Sequence, residues 1–175
     1  WIVHLPRDIS GPEFDAVRDA GAKAIAALGL VDGMTHMEWF RRPDGSIAIG
    51  EIAARPPGAQ IVRLMSTSHD ADLYQAWGRA VVDGAWDGPW ERRWSSGVAF
   101  LRGQGRGRIT AVDGLDDAQA RMGHLVTAAR LPQVGAHRSS SYEGEGWALV
   151  RHEDDQVVLD ALLDLVRTVR VRYEA

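Results

Sequence analysis

The sequence has no cysteine, a single lysine (Lys23) among its 20 basic residues, and no apolar run approaching the length of a bilayer. Without cysteine there are no disulfides, no thiolate nucleophile and no Cys-ligated zinc or iron centre. Spanning a membrane takes about 20 consecutive apolar residues, and no basic-then-apolar leader opens the chain. Positive charge is also short. Twenty Lys and Arg stand against 24 Asp and Glu, for a formal charge of -4 and a pI near 5.8. Nucleic acids and anionic membranes are held by dense positive surface, so no partner of either kind is expected. Cytoplasm is the expected location. What is present is enough apolar residue, 45% of 175, to close one good-sized domain or two small ones. The first residue is Trp1, and Ile2-Val3-His4-Leu5 already reads as a strand, so the chain is expected to begin inside a larger protein.

Ser10-Gly11-Pro12-Glu13 has the spacing of a capping box. Phe14, Val17, Gly21, Ala24, Ile25 and Leu28 then recur at helical spacing up to the stop signal Gly29. Two antiparallel strands follow, and beyond Gly58 come a short helix through Ile61 to Met65 and a second, capped by Asp70, running to Gly84. The segment Trp86 to Trp94, with Gly88-Pro89 inside it, breaks every periodicity and reads as a boundary. Past it the pattern is β-β-α-β-β-α-β. It comprises a hairpin of Val98–Leu101 and Arg108–Val112 around Gly103–Gly107, a helix through Ala118, Met122, Leu125 and Ala129, strands near Gln133–Ser140 and Trp147–His152, a helix through Val158 to Val166, and a strand Val169–Tyr173. The expected class is α+β, with helices on one face of a mainly antiparallel sheet.

The informative stretch is His36-Met37-Glu38-Trp39-Phe40-Arg41-Arg42-Pro43-Asp44-Gly45-Ser46-Ile47-Ala48-Ile49-Gly50-Glu51-Ile52-Ala53-Ala54-Arg55-Pro56-Pro57-Gly58. It puts two acids into strand-like runs. If Asp44-Gly45 is a two-residue turn, Glu38 lies opposite Glu51; a four-residue loop leaves both on one face, offset by two. A three-residue Pro43-Asp44-Gly45 loop with a glycine bulge would part them to opposite faces. Cross-strand neighbours bring Cβ atoms about 4.5 to 5.5 Å apart, where like charges repel unless a cation lies between them. Carboxylate oxygens suit Mg²⁺, which takes its other ligands from water and phosphates. Two solvated surface acids are the plainer alternative. Arg55 follows, its backbone stiffened by Pro56 and Pro57, and a held guanidinium can grip a phosphate or carboxylate with two parallel bonds.

The order Gly33-x-x-His36-x-Glu38, strand, glycine-bearing turn, strand, Glu51-Ile52-x-x-Arg55-x-x-Gly58 resembles the carboxyl-terminal half of the ATP-grasp domain of carboxylate–amine ligases. That resemblance implies that Glu38 and Glu51 hold Mg²⁺ or Mn²⁺ between the phosphates of ATP, and that Arg55 contacts the transferred phosphate or the substrate carboxylate. It implies residues 1–90 as the rear half of the ATP-grasp domain and 91–175 as the small domain that follows it. It further implies a carboxylate and an amine substrate, and a missing amino-terminal part of the same enzyme. Many relatives carry asparagine two residues after the second acid; Ala53 stands there, which fits the L-amino-acid ligase-like branch better than biotin carboxylase. Nothing in the sequence resembles the glycine-rich flap, the pair of nucleotide-binding lysines or the adenine hinge, so the chain by itself is expected to be inactive.

Other features have structural readings. His36 shares a face with Glu38, as a hydrogen-bond donor that steadies a metal-binding acid or as a core histidine. His69, beside Asp70, either touches a substrate or belongs to a helix-entry loop. His137-Arg138-Ser139-Ser140-Ser141-Tyr142 lacks the context of a nucleophile elbow. The glycine-arginine turn Gly103–Gly107 reads as a solvated hairpin tip, with closure over a phosphate as the alternative. Trp86, Trp90 and Trp94 form the rival signal: they either pin a linker or give a stacking platform for a sugar or peptide, which would make this a binding module.

Overall fold

A computed structural model describes residues 1–86 and 88–174. They form two compact units that interleave in sequence: one of Trp1–Arg7, Ala59–Asp70 and Arg92 onward, the other of Asp8–Gly58 and Ala71–Glu91.

The first unit is built on an antiparallel sheet of β1 (Ile2–Leu5), β4 (Ser95–Leu101), β7 (Gly146–His152) and β6 (Val126–Arg130), in that order. Every residue of β4 is buried, because it is a central strand covered on both faces. On one face Leu64 of α2 (Ile61–His69) packs with Val98, Phe100, Trp147 and Leu149. On the other, Ala99, Leu101, Ala148 and Val150 meet Val158, Ala161, Leu162 and Leu165 of α5 (Asp155–Thr168), with Ala118 and Met122 of α4 (Leu115–Met122). Each fully buried Leu or Val contributes about 1.5 to 3 kcal/mol of transfer free energy. Gly97 permits this packing, since a Cβ there would lie 2.4 Å from Leu162 Cδ1 and 2.9 Å from the Val3 carbonyl.

Four expectations change here. Helices cover both faces of the sheet, not one. β4 does not pair with β5 (Arg106–Asp113): it pairs with β1 and β7, while β5 pairs with β8 (Arg170–Glu174) in a separate ribbon, because a strand buried on both faces needs a partner at each edge. The helix expected through Ala129 ends at Met122, and Val126–Arg130 is a strand. The Gln133–Ser140 segment is a loop with one isolated bridge, Arg108 to His137. It wraps β5 through Ile109 N–H to the Ala136 carbonyl and Gly135 N–H to the Ile109 carbonyl, both 2.8 Å.

In the second unit, α1 (Asp15–Leu28) follows a 3-10 turn at Pro12–Phe14 and stops at left-handed Gly29. The capping box does not form: Gly11 is the cap, and Ser10 donates its N–H to Asp8 Oδ1 instead. α1 packs near a hairpin of β2 (His36–Arg41) and β3 (Ile47–Ala53). α3 (Leu73–Asp83) is capped by Asp72, whose Oδ1 accepts from the Tyr74 and Gln75 N–H groups, and not by Asp70. Asp70 ends α2 with φ 49°.

Candidate active site

The hairpin turns through Pro43-Asp44-Gly45. Gly45 N–H donates to the Arg42 carbonyl and Arg42 N–H donates to the Ser46 carbonyl, both at 2.9 Å, and Gly45 has φ 84°. Asp44 Oδ1 accepts from the Ser46 N–H and hydroxyl. This is the three-residue loop with its glycine bulge, the type expected to part the two acids. They are nevertheless directly opposite one another. Arg41 pairs with Ile47, Phe40 with Ala48 and Trp39 with Ile49, but Glu38 pairs with Glu51, leaving Gly50 as an extra residue. A second bulge at Gly50 thus cancels the register change made by the turn. A side chain at Gly50 would crowd Phe40, whose Cε2 lies 3.0 Å from the built Cβ position. Sequence reasoning missed this device, although an isolated glycine in a strand pattern, Ile49-Gly50-Glu51, is its usual sign.

Glu38 and Glu51 are exposed, and the same face carries His36 paired with Ala53. The opposite face turns toward α1: a Cβ on Gly21 would meet Met37 at 3.4 Å. Arg55 lies two residues past the end of β3, exposed, and donates from Nη1 to the Pro56 carbonyl at 3.1 Å, while Pro57 is buried. The chain leaves this segment through Ala59 and Gln60, both left-handed at φ 52° and 61°. Two such residues in succession are strained. They are held within the first unit, where Ala59 N–H donates to the Tyr142 hydroxyl at 3.0 Å and Gln60 Nε2 to Glu143 Oε1 at 2.9 Å.

The remaining candidates find structural work. His69 bonds the Met65 carbonyl one helical turn back. Trp86 and Trp90 meet edge to face, 5.1 Å between centroids; Asp87 of that segment lies outside the described residues. Trp94 donates its indole N–H to Asp70 Oδ2 and carries the Arg151 guanidinium over its ring.

No protein-family model matches the sequence, and no curated protein does. Solved structures do match. An L-amino acid ligase from Bacillus licheniformis superposes with a TM-score of 0.80 at 18% identity, over 99% of this chain and 46% of its own. N5-carboxyaminoimidazole ribonucleotide synthetase from Thermotoga maritima gives 0.71 at 21%, over 99% and 46%. The biotin carboxylase domain of 2-oxoglutarate carboxylase from Hydrogenobacter thermophilus, solved with MgADP and bicarbonate, gives 0.57 at 13%, over 98% and 39%. The fold is that of the carboxyl-terminal half of the ATP-grasp enzymes. The chain spans less than half the length of these three structures. No helix among the described residues is long and apolar enough to cross a membrane.

The hairpin offers hard oxygen donors of the kind a divalent cation takes. Two opposed carboxylates with no third protein ligand gathered around them, among the described residues, form a donor set for a hard ion that completes its shell elsewhere.

Proposed function

We propose that the chain is the rear part of an ATP-dependent carboxylate–amine ligase that makes an amide or peptide bond through an acyl phosphate. The observation that carries the reading is the direct opposition of Glu38 and Glu51, kept by the Gly50 bulge in a chain with the fold of the ATP-grasp carboxyl-terminal half. Glu38 and Glu51 would hold Mg²⁺, or Mn²⁺, which neutralises charge on the phosphates of ATP. Arg55 sits on a segment stiffened by Pro56 and Pro57, where its planar fork aligns the transferred phosphate or the acid substrate; catalysis in such transfers is mostly positioning and charge stabilisation. Ala53 brings no donor, which supports the L-amino-acid ligase-like branch. In chain order, residues 1–90 belong to the ATP-grasp domain and 91–175 to the small domain after it, with β1 and α2 of the earlier part packing into the later unit. The rest of the nucleotide site comes from a further amino-terminal part of the enzyme, in the cytoplasm, where ATP is supplied.

The test is Glu51→Gln in the full-length protein, supplied with MgATP and a panel of carboxylate and amine pairs. Ligation should fall below detection while the fold survives, because removing one of two opposed charges relieves repulsion. A variant that ligates as well as the parent removes the metal role from the hairpin.

A further inference from the structure

On the α5 side of the first unit's sheet, a cavity of about 290 Å³ opens into the core. Leu101 of β4, Leu165 of α5 with Val169 just past it, Leu115 of α4 and Val126 of β6 form its walls. The space itself is left by three alanines from three elements, Ala118 of α4, Ala129 of β6 and Ala148 of β7, which line it together. Ala129 and Ala148 are cross-strand partners. Strand positions packed under a helix ordinarily take Val or Ile, and a branched side chain at any one of the three would begin to close the gap. None of these residues has a role in the proposed ligase site.

Protein interiors are packed closely enough that voids larger than a water molecule are few. An apolar one holds no ordered water, since its walls offer no polar partners, and it takes apolar molecules instead. About 150 Å³ of such space holds a benzene ring, so this cavity has room for two fused rings. Polarity enters only through Asp116 and Gln119, both exposed on α4. Asp116 is the one ionised group among the described lining residues, so the mouth repels an anion and draws a hydrogen-bond donor. We propose that this cavity binds a flat, uncharged aromatic molecule of one or two fused rings that carries a single N–H or O–H donor, with the rings among the alanines and the donor on the Asp116 carboxylate. The site stands apart from Glu38, Glu51 and Arg55 and does not depend on the ligase reading.

Indole, two fused rings with one N–H, is the probe, and the Ala118 and Ala148 methyl groups, read by ¹H–¹³C NMR, report on it. Titrating indole into the protein should shift both methyl resonances saturably. Benzofuran, the same shape with an oxygen in place of the N–H, should bind about threefold to tenfold more weakly, the worth of one hydrogen bond. Asp116→Ala, at an exposed position, should weaken indole by a similar factor and leave benzofuran unchanged. Ala118→Leu, which suits a helix and fills the void, should abolish the binding of both. If Ala118→Leu does not fold, Ala129→Leu at the exposed rim still decides. No saturable shift with indole, indole bound as tightly by a folded, filled variant, unchanged indole affinity in Asp116→Ala, or benzofuran equal to indole would each overturn the proposal.

Discussion

Lysine carries the same charge as arginine but not its planar fork, so replacing Arg55 with lysine isolates geometry from charge. If Arg55 only balanced Glu38 and Glu51, a point charge would serve equally. A residue that grips two oxygens at once loses alignment on becoming lysine. In the full-length enzyme Arg55→Lys should cost about a hundredfold in turnover, and unchanged steady-state kinetics would reduce Arg55 to a balancing charge. Asp70 tests a different use of charge. The Trp94 indole N–H, and after it the Arg151 guanidinium, hold its carboxyl below the usual carboxylate range. A depressed pKa means stability that is present above the unfolded value, about pH 4, and lost as pH falls through the folded one. Asp70→Asn should therefore melt below the parent at neutral pH, and the gap should close in acid. A gap that stays constant down to pH 2 would show that packing, not ionisation, ties Asp70 to Trp94. The sequence suggested Asp70 as a cap because an acid before a helical pattern usually is one; Asp72, two residues on, has the better reach to the first-turn amides.

Among the elements, the β2–β3 hairpin is where local rules came closest to misleading. Pro43-Asp44-Gly45 does form the three-residue loop that its residues favour, and extended regularly from there, Glu51 would fall on the face away from Glu38. Gly50 restores the pairing. Deleting Gly50 should then leave Glu38 opposite Glu51, since Ile49 already pairs with Trp39 and Glu51 would simply become the next residue in line. The hairpin would lose twist but not register. Cross-strand contacts in a structure of the deletion variant would decide; Glu51 found opposite Met37 would mean that the register is not carried from the turn through Trp39 and Ile49. Elsewhere, helices with glycine stops were readable: Gly29 and Gly84 adopt the left-handed caps their positions suggest. The element order after residue 91 was readable too, strand by strand and helix by helix, but two details were not. Val126-Thr127-Ala128-Ala129-Arg130 is poor in strand formers and continues a helical spacing, so its place as a sheet edge comes from β7 beside it. The Gly103–Gly107 turn looks like a hairpin tip only until the full burial of β4 assigns both its edges to other strands.

At the scale of the whole molecule, burial is unequal. Among the described residues of the second unit only the hydrophobic side chains of Leu73, Ala76 and Ala80 are buried, and α1 has no buried residue, whereas every residue of β4 in the first unit is buried. The carboxylates of the candidate site belong to the thinly buried unit. Beyond Arg55 a site of this kind has no lysine to offer: Lys23 is exposed on α1 and tied to Asp19 at 2.6 Å, and no other lysine exists in the sequence to reach a nucleotide. Two opposed carboxylates without phosphates make only a weak magnesium site, because Mg²⁺ gives up its water reluctantly. The 175-residue chain alone should therefore release no ADP from MgATP above the uncatalysed rate, with or without a carboxylate and an amine. Adding the polypeptide that corresponds to the other half of the longer ATP-grasp structures should be what brings turnover. Robust ADP release by the purified chain alone, abolished by Glu51→Gln, would mean that these residues already form a complete nucleotide site, and that the division of labour inferred from the fold is wrong.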